Sequence, residues 1–208
     1  MTISIFASPK LRRLSAPLRA LIRTALAAEG RRAREVAVML TDDAELRALN
    51  REWRCIDRAT DVLSFSYDEA GAGETVRREA RRVSRVPGDA RRSPGARLTG
   101  NPSRPRVPVN GDVVISLDRV RDQARRYRVS EGAELARLVI HGALHLAGLD
   151  HQRPAERRRM RKREDAVLRA SRSEARALDR ELGPATGVSR RSDVRRPRVP
   201  RDPNPRRR

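Results

Sequence analysis

No stretch constrains this chain more than Ser130 to His151, which reads as a buried helix and also holds every histidine of the protein, His141, His145 and His151, within HGALHLAGLDH. Leu135, Leu138, Val139 and Leu146 recur at helical spacing and bury the segment, and Ser130 stands where an N-cap belongs. Such a helix is a rigid central element, with the first two histidines on its exposed side. Residues four apart project from one face about one turn apart, so His141 and His145 can aim ring nitrogens at one point. A continuing helix would carry His151 to another face. Gly148 intervenes, and a glycine there can take the left-handed conformation that ends helices, so the chain turns back and offers the third imidazole. Asp150 is given a turn or supporting role.

Three neutral imidazoles with an open fourth position make the arrangement of catalytic zinc, where the metal lowers the pKa of bound water to about 7. A structural zinc site would be closed, and the single cysteine, Cys55, is far away in sequence. Two histidines on an apolar helix can also be packed, hydrogen-bonded core residues. Concentration of the whole histidine complement at ligand spacing, with a glycine at the turn, favours the metal. The spacing also follows the zinc-peptidase pattern H-E-x-x-H-x-x-G-x-x-H, except that Gly142 replaces the glutamate that serves there as general base. The site therefore reads as hydrolytic but not proteolytic.

The histidine segment resembles the signature of the YbeY endoribonucleases, bacterial factors of ribosomal RNA maturation. Two further segments agree. Leu49-Asn50-Arg51-Glu52-Trp53-Arg54, followed by Asp57 and by Thr60-Asp61-Val62-Leu63-Ser64-Phe65, is similar to the family's LN-x-x-x-R…TDVLSF block, and Gly111-Asp112-Val113-Val114-Ile115-Ser116 resembles its GDI-x-I-S strand. The likeness covers residues 1–70 and 108–180; Ala59 and Ser66 replace the family's usual prolines, and the connection from Phe65 to Gly111 is unusually long. The resemblance implies a metal-dependent endoribonuclease of single-stranded RNA that matures the 3′ end of 16S rRNA and takes part in ribosome quality control. Its partners would be rRNA precursor and the ribosome or its small subunit. It implies metal ligation by His141, His145 and His151, with zinc as the expected ion, and catalytic roles for Arg54 and His141. Imidazoles also suit nickel, copper or iron. A guanidinium binds phosphate oxygens bidentately, which fits Arg54 to a phosphodiester gaining negative charge. Asp112 reads as a strand-start turn residue rather than a cleft residue.

The remaining pattern gives an α+β single domain over 1–182, with about four strands and helices packed on them, the metal site lying at the end of the central helix. Thr2 to Phe6 is a short strand, and Leu14, Leu18, Leu21, Ile22, Ala25 and Leu26 form the core stripe of a helix. Glu35 to Leu40 is strand-like, Asp42 caps a helix carrying Leu46 and Leu49, and Val62 to Tyr67 and Asp112 to Leu117 are further strands. Asp118 to Tyr127 is helical, and one long charged helix runs from Pro154 to Leu182.

Charge is uneven. Residues 71–107 and 183–208 each net +7 of the total +21 and lack hydrophobic periodicity, so the first reads as a disordered insertion and the second as a disordered tail. The surplus suits a polyanion such as RNA, although 46 arginines against two lysines also fit a bias in base composition. No apolar run approaches the roughly 20 residues of a spanning helix, and the N-terminus lacks signal-peptide order, so no membrane partner and a cytoplasmic location are expected. Two routes of cleavage stay open, attack by metal-activated water or by the ribose 2′-OH. A zinc-containing assembly factor acting mainly by RNA and protein binding is the alternative function. A metalloprotease ranks last. Oligomeric state is unassigned.

Overall fold

The computed structural model describes residues 2–67 and 106–183. In chain order these form β1 (Thr2–Phe6), a 3-10 turn (Pro9–Leu14), α1 (Ser15–Ala28), β2 (Arg31–Thr41), α2 (Asp43–Arg54), β3 (Val62–Ser66), β4 (Val107–Ser116), α3 (Leu117–Tyr127), α4 (Glu131–Leu146), α5 (Pro154–Ala170) and α6 (Arg172–Leu182). The class is α+β, around a four-stranded mixed sheet of order β1-β2-β4-β3. β1 and β4 run parallel to β2, and β3 runs antiparallel to β4.

Strand alternation sorts the sheet into two faces. Ile3, Val36, Val38, Val113 and Ile115 face α1 and α4, and the same core takes Val120 of α3, Met160 and Val167 of α5, and Leu178 of α6. Leu63 and Val114 face the other way, where Leu46 and Leu49 of α2 cover them together with Met39 and Phe65. The histidine helix α4 and the arginine-bearing α2 therefore sit on opposite faces of one sheet.

Close approach fixes how α4 lies. A Cβ at Gly142 would stand 2.5 Å from Val113 Cγ1, and one at Gly111 would stand 2.3 Å from the Phe65 carbonyl oxygen and 2.7 Å from Leu146 Cδ2. Both glycines are thus places where helix and strand meet without room for a side chain. At the other end of α4, the Asp179 carboxylate of α6 accepts from the Ser130 hydroxyl and from the Gly132 N–H, each at 2.8 Å. Ser130 Oγ in turn accepts from Ala133 N, the N-cap bond its position implies.

The structure amends several expectations. The long helix from Pro154 is two helices that change over at Ser171, whose φ of −111° and ψ of 30° leave helical geometry. β2 begins at Arg31 rather than Glu35, and β4 begins at Val107 rather than Asp112. Asp112 is consequently mid-strand, opposite Phe65, and not in a turn; its Oδ2 accepts from the Tyr67 hydroxyl at 2.8 Å. The expected insertion at 71–107 and tail at 183–208 lie outside the described residues, apart from 106–107 and 183.

Candidate metal centre

The end of α4 is built by backbone hydrogen bonds that the sequence specifies. Gly148, at φ +92°, donates to the His145 carbonyl at 2.9 Å, and Leu149 N donates to the Leu144 carbonyl at 3.0 Å. This pair is the Schellman closure of a helix, and it drives Leu149 into the core beyond the turn. Asp150 Oδ1 then accepts from His151 N at 2.6 Å. Arg157, on α5, donates to the carbonyls of His151 at 3.3 Å and Gln152 at 2.8 Å. The third histidine is thereby held through its main chain on both sides, although its side chain is exposed.

The turn brings the three imidazoles together. His141, His145 and His151 each offer a ring nitrogen, and these atoms all lie within 4.8 Å of one another. The Nε2 atoms of His141 and His145 are 3.1 Å apart. Nitrogens bound to one zinc at about 2.0–2.1 Å in a tetrahedron would stand roughly 3.4 Å from each other, so the set fits a metal with small ring adjustments. His141 and His145 are half-buried, not on an exposed side as the sequence suggests, and Glu164 of α5 lies against His141.

Burial first, then the neighbouring His141 and His151, pushes the His145 pKa down to about 4. At neutral pH this ring is a free-base ligand with no proton to displace. Glu164 of α5 supplies a contact the sequence reading missed. Its Oε1 lies 2.5 Å from His141 Nδ1, and the side chains are only 14% and 19% exposed. A carboxylate accepting from Nδ1–H leaves the Nε2 lone pair aimed at the shared point, as an outer partner of a metal-bound histidine does. No spacing signal ties residue 164 to residue 141; only an acid placed on an arginine-rich helix hinted at it.

One turn before His141, Arg137 donates to Glu134 at 2.6 Å and to Gln123 at 3.0 Å, with Asp61 at 4.0 Å. Burial opposes its charge, but the Glu134 hydrogen bond and the charges of Glu134, Asp61 and Glu164 hold the guanidinium more firmly protonated than usual. Several motif residues prove architectural. Asn50 Nδ2 donates to the Arg58 carbonyl at 2.8 Å, Asp61 Oδ1 accepts from Val62 N at 3.0 Å, and Ser116 Oγ donates to Asp43 Oδ1 at 2.6 Å. Gly142 is likewise a packing position: a glutamate there would run into Val113 instead of reaching a metal.

Arg54 is carried by a different element from the histidines. It is the exposed last residue of α2, before Cys55 in the left-handed conformation. α2 ends with Trp53 against Phe65, while the Phe65 carbonyl and Leu146 close on Gly111 from the other side. α2, which carries Arg54, and the histidine helix α4 thus pack on opposite faces of the sheet, whose outermost strand among the described residues on this side is β3.

Comparison with known proteins bears on the family and the fold. Residues 7–172 match the family model described as Endoribonuclease YbeY. A protein of that name from Anaeromyxobacter sp. is 41% identical over 177 residues, which cover 85% of this chain and 74% of the relative. Another, from Chloroflexus aggregans, is 41% identical over 137 residues, covering 65% of this chain and 72% of the relative. The solution structure of a Thermotoga maritima protein has the same fold, with a TM-score of 0.52 at 22% identity over 90% of this chain and all of that one.

Proposed function

The chain belongs to the YbeY endoribonuclease family, and on that premise we propose that it cleaves single-stranded RNA at a divalent metal held by His141, His145 and His151, in the maturation of the 3′ end of 16S rRNA and in late ribosome quality control. It is a hydrolase of RNA phosphodiesters. The observation that carries the metal-dependent reading is the convergence of three ring nitrogens within 4.8 Å, with no fourth histidine, cysteine or acid in the group among the described residues. When bound, a divalent ion there, with zinc the expected one, supplies Lewis-acid activation of the nucleophile or of the phosphoryl group.

The side chains perform the rest. The depressed His145 pKa keeps that ring unprotonated, and so ready to ligate, even in mild acid. Glu164 fixes the orientation of His141. Arg54 is assigned to the phosphate, where a permanent, planar charge offsets the negative charge that grows during displacement. No side chain of the metal group is assigned as a proton acceptor, and Gly142 cannot be one; the attacking water or ribose 2′-OH gives its proton to solvent. No helix among the described residues is long and apolar enough to cross a membrane. The partners proposed are rRNA precursor and the small ribosomal subunit, and the location proposed is the cytoplasm.

The test is cleavage of matched single-stranded and duplex RNAs, with the product ends identified. Cutting of the single strand alone, lost in Arg54→Ala, is expected. A 2′,3′-cyclic phosphate would assign attack to the ribose hydroxyl, and its absence to water. Cleavage unaffected by Arg54→Ala would remove that residue from the reaction.

A further inference from the structure

The chain has one tryptophan, two tyrosines and two phenylalanines, and none of the five is buried. The core is aliphatic throughout. Aromatic rings usually supply large buried area, whereas here Phe65 alone packs partly against a core cluster. Scattered exposed rings need no explanation, but a contiguous group does. Three of these rings share one place.

Positions 63, 65 and 67 alternate onto the α2 face of the sheet. Leu63 is buried under Leu46, Phe65 is half-buried, and Tyr67 is 54% exposed. Trp53, 48% exposed, stands edge-on to Phe65 with ring centroids 6.1 Å apart and planes at 66°. Tyr67 is fixed although it faces solvent: its hydroxyl donates to Asp112 at 2.8 Å, and its N–H donates to the Asn110 carbonyl at 3.0 Å. The last turn of α2 adds Arg51 and Arg54 beside the rings, in a chain of net charge +21. Exposed flat rings on a helix end that carries two arginines, with Asp112 engaged by the Tyr67 hydroxyl, match a flexible polyanion that carries flat, unpaired bases. They match an apolar protein surface poorly, because its approach would desolvate the arginines.

The location supports the same occupant. Ser64, on the opposite face of β3, would lie 3.1 Å from a Cβ at Gly142, between the two helical histidines. The histidine helix therefore packs on one side of β3, and Phe65 with Trp53 lies on the other. We propose that Trp53, Phe65 and Tyr67 form a stacking platform for the bases of single-stranded RNA, holding the strand across β3 so that a phosphate reaches the histidine side. This rests on the endoribonuclease reading and adds a physical source of strand selection. Unpaired bases offer their π-faces to the rings, whereas a duplex hides them.

Trp53 is the only tryptophan, so selectively excited tryptophan emission reports on the platform. The full chain, chelated so that RNA stays intact, is titrated with an oligoadenylate and with an abasic strand of equal length and charge. The oligoadenylate should quench the emission and bind about tenfold more tightly than the abasic strand, the size expected of one stacked base. Trp53→Leu keeps apolar bulk without a ring and should lose that preference, read by anisotropy of labelled RNA, while Trp53→Phe retains most of it. Equal affinity for the two strands, or a preference unchanged in Trp53→Leu, overturns the platform while leaving RNA cleavage intact. A chain that binds neither strand overturns both the platform and the endoribonuclease reading. A dimer in sedimentation with Trp53 emission already shifted before RNA is added would assign the face to a second copy and also overturn the platform.

Discussion

Gly142→Ala sets two effects of opposite sign against each other at the centre of the histidine helix. Replacing a mid-helix glycine by alanine gains about 1 kcal/mol of backbone propensity. Against this, the new Cβ would stand 2.5 Å and 3.2 Å from the two γ-methyls of Val113 and 3.1 Å from Ser64 Oγ. Carbon atoms in good contact sit at about 3.5–4.0 Å, so roughly 1 Å has to be found. Val113 is buried in an inner strand and stiff at χ1, and the clash engages both of its methyls, so neither rotation nor a small tilt of α4 relieves it. Overpacking of this kind costs typically 1–3 kcal/mol, and closure in several directions places it near the upper end. The net expectation is a loss of about 2 kcal/mol, or roughly 4–8 °C in Tm for a chain of this size. Denaturant unfolding of the metal-free protein measures it. Val113→Ala removes both offending methyls, so the double variant should be more stable than the two single effects predict, by at least about 1 kcal/mol. A Gly142→Ala protein stabilised by the propensity term, with no coupling to Val113, would refute the packing argument and reopen position 142 to a functional role.

Three further outcomes follow from the same geometry. His145 has a folded pKa of about 4 against an ordinary value of 6.5, so between these values the unfolded chain binds the extra proton; metal-free stability should be complete above about pH 6.5 and fall by roughly 3 kcal/mol as pH drops toward 4. Urea midpoints across that range check it, and a His145→Asn protein with the same slope would contradict it. Glu164→Gln should weaken metal binding about 10–100-fold in a chelator competition, with far-UV circular dichroism unchanged; unaltered affinity would show that the contact with His141 does not orient the ring. Asp179→Ala leaves the Gly132 N–H and the Ser130 hydroxyl without their carboxylate and should cost about 1–2 kcal/mol in a urea melt.

Local rules made much of this molecule readable from its residues. Ser130 and Asp42 accept the capping hydrogen bonds their types imply, the Leu18–Leu21–Ile22–Ala25 stripe is buried, and Gly148 turns the chain as a left-handed glycine should. The His141/His145 spacing translated directly into facing nitrogens because a helix fixes residues four apart. What escaped depends on contacts distant in sequence. Glu164 reaches His141 across 23 residues, and only the packing of α5 on α4 brings them together. Asp112 looked like a turn residue because it follows a glycine, but Gly111 is required by Leu146 and the Phe65 carbonyl above the strand, not by a bend. The break at Ser171 carries no proline or glycine; α6 changes direction to lay Leu178 in the core and Asp179 on the α4 terminus. Arg54 stands out by resemblance rather than by any local rule, since an arginine at a helix end is common in a chain with 46 of them.

The central claim is that three converging imidazoles hold one ion on which RNA cleavage depends. Metal content and single-stranded RNA cleavage, measured on the same preparations of the unaltered protein, His145→Ala and Arg54→Ala, test it most directly. One tightly held divalent ion per chain is predicted for the unaltered protein, loss of both ion and cleavage in His145→Ala, and retention of the ion with loss of cleavage in Arg54→Ala. Full cleavage by metal-free protein, or by His145→Ala, would contradict the account.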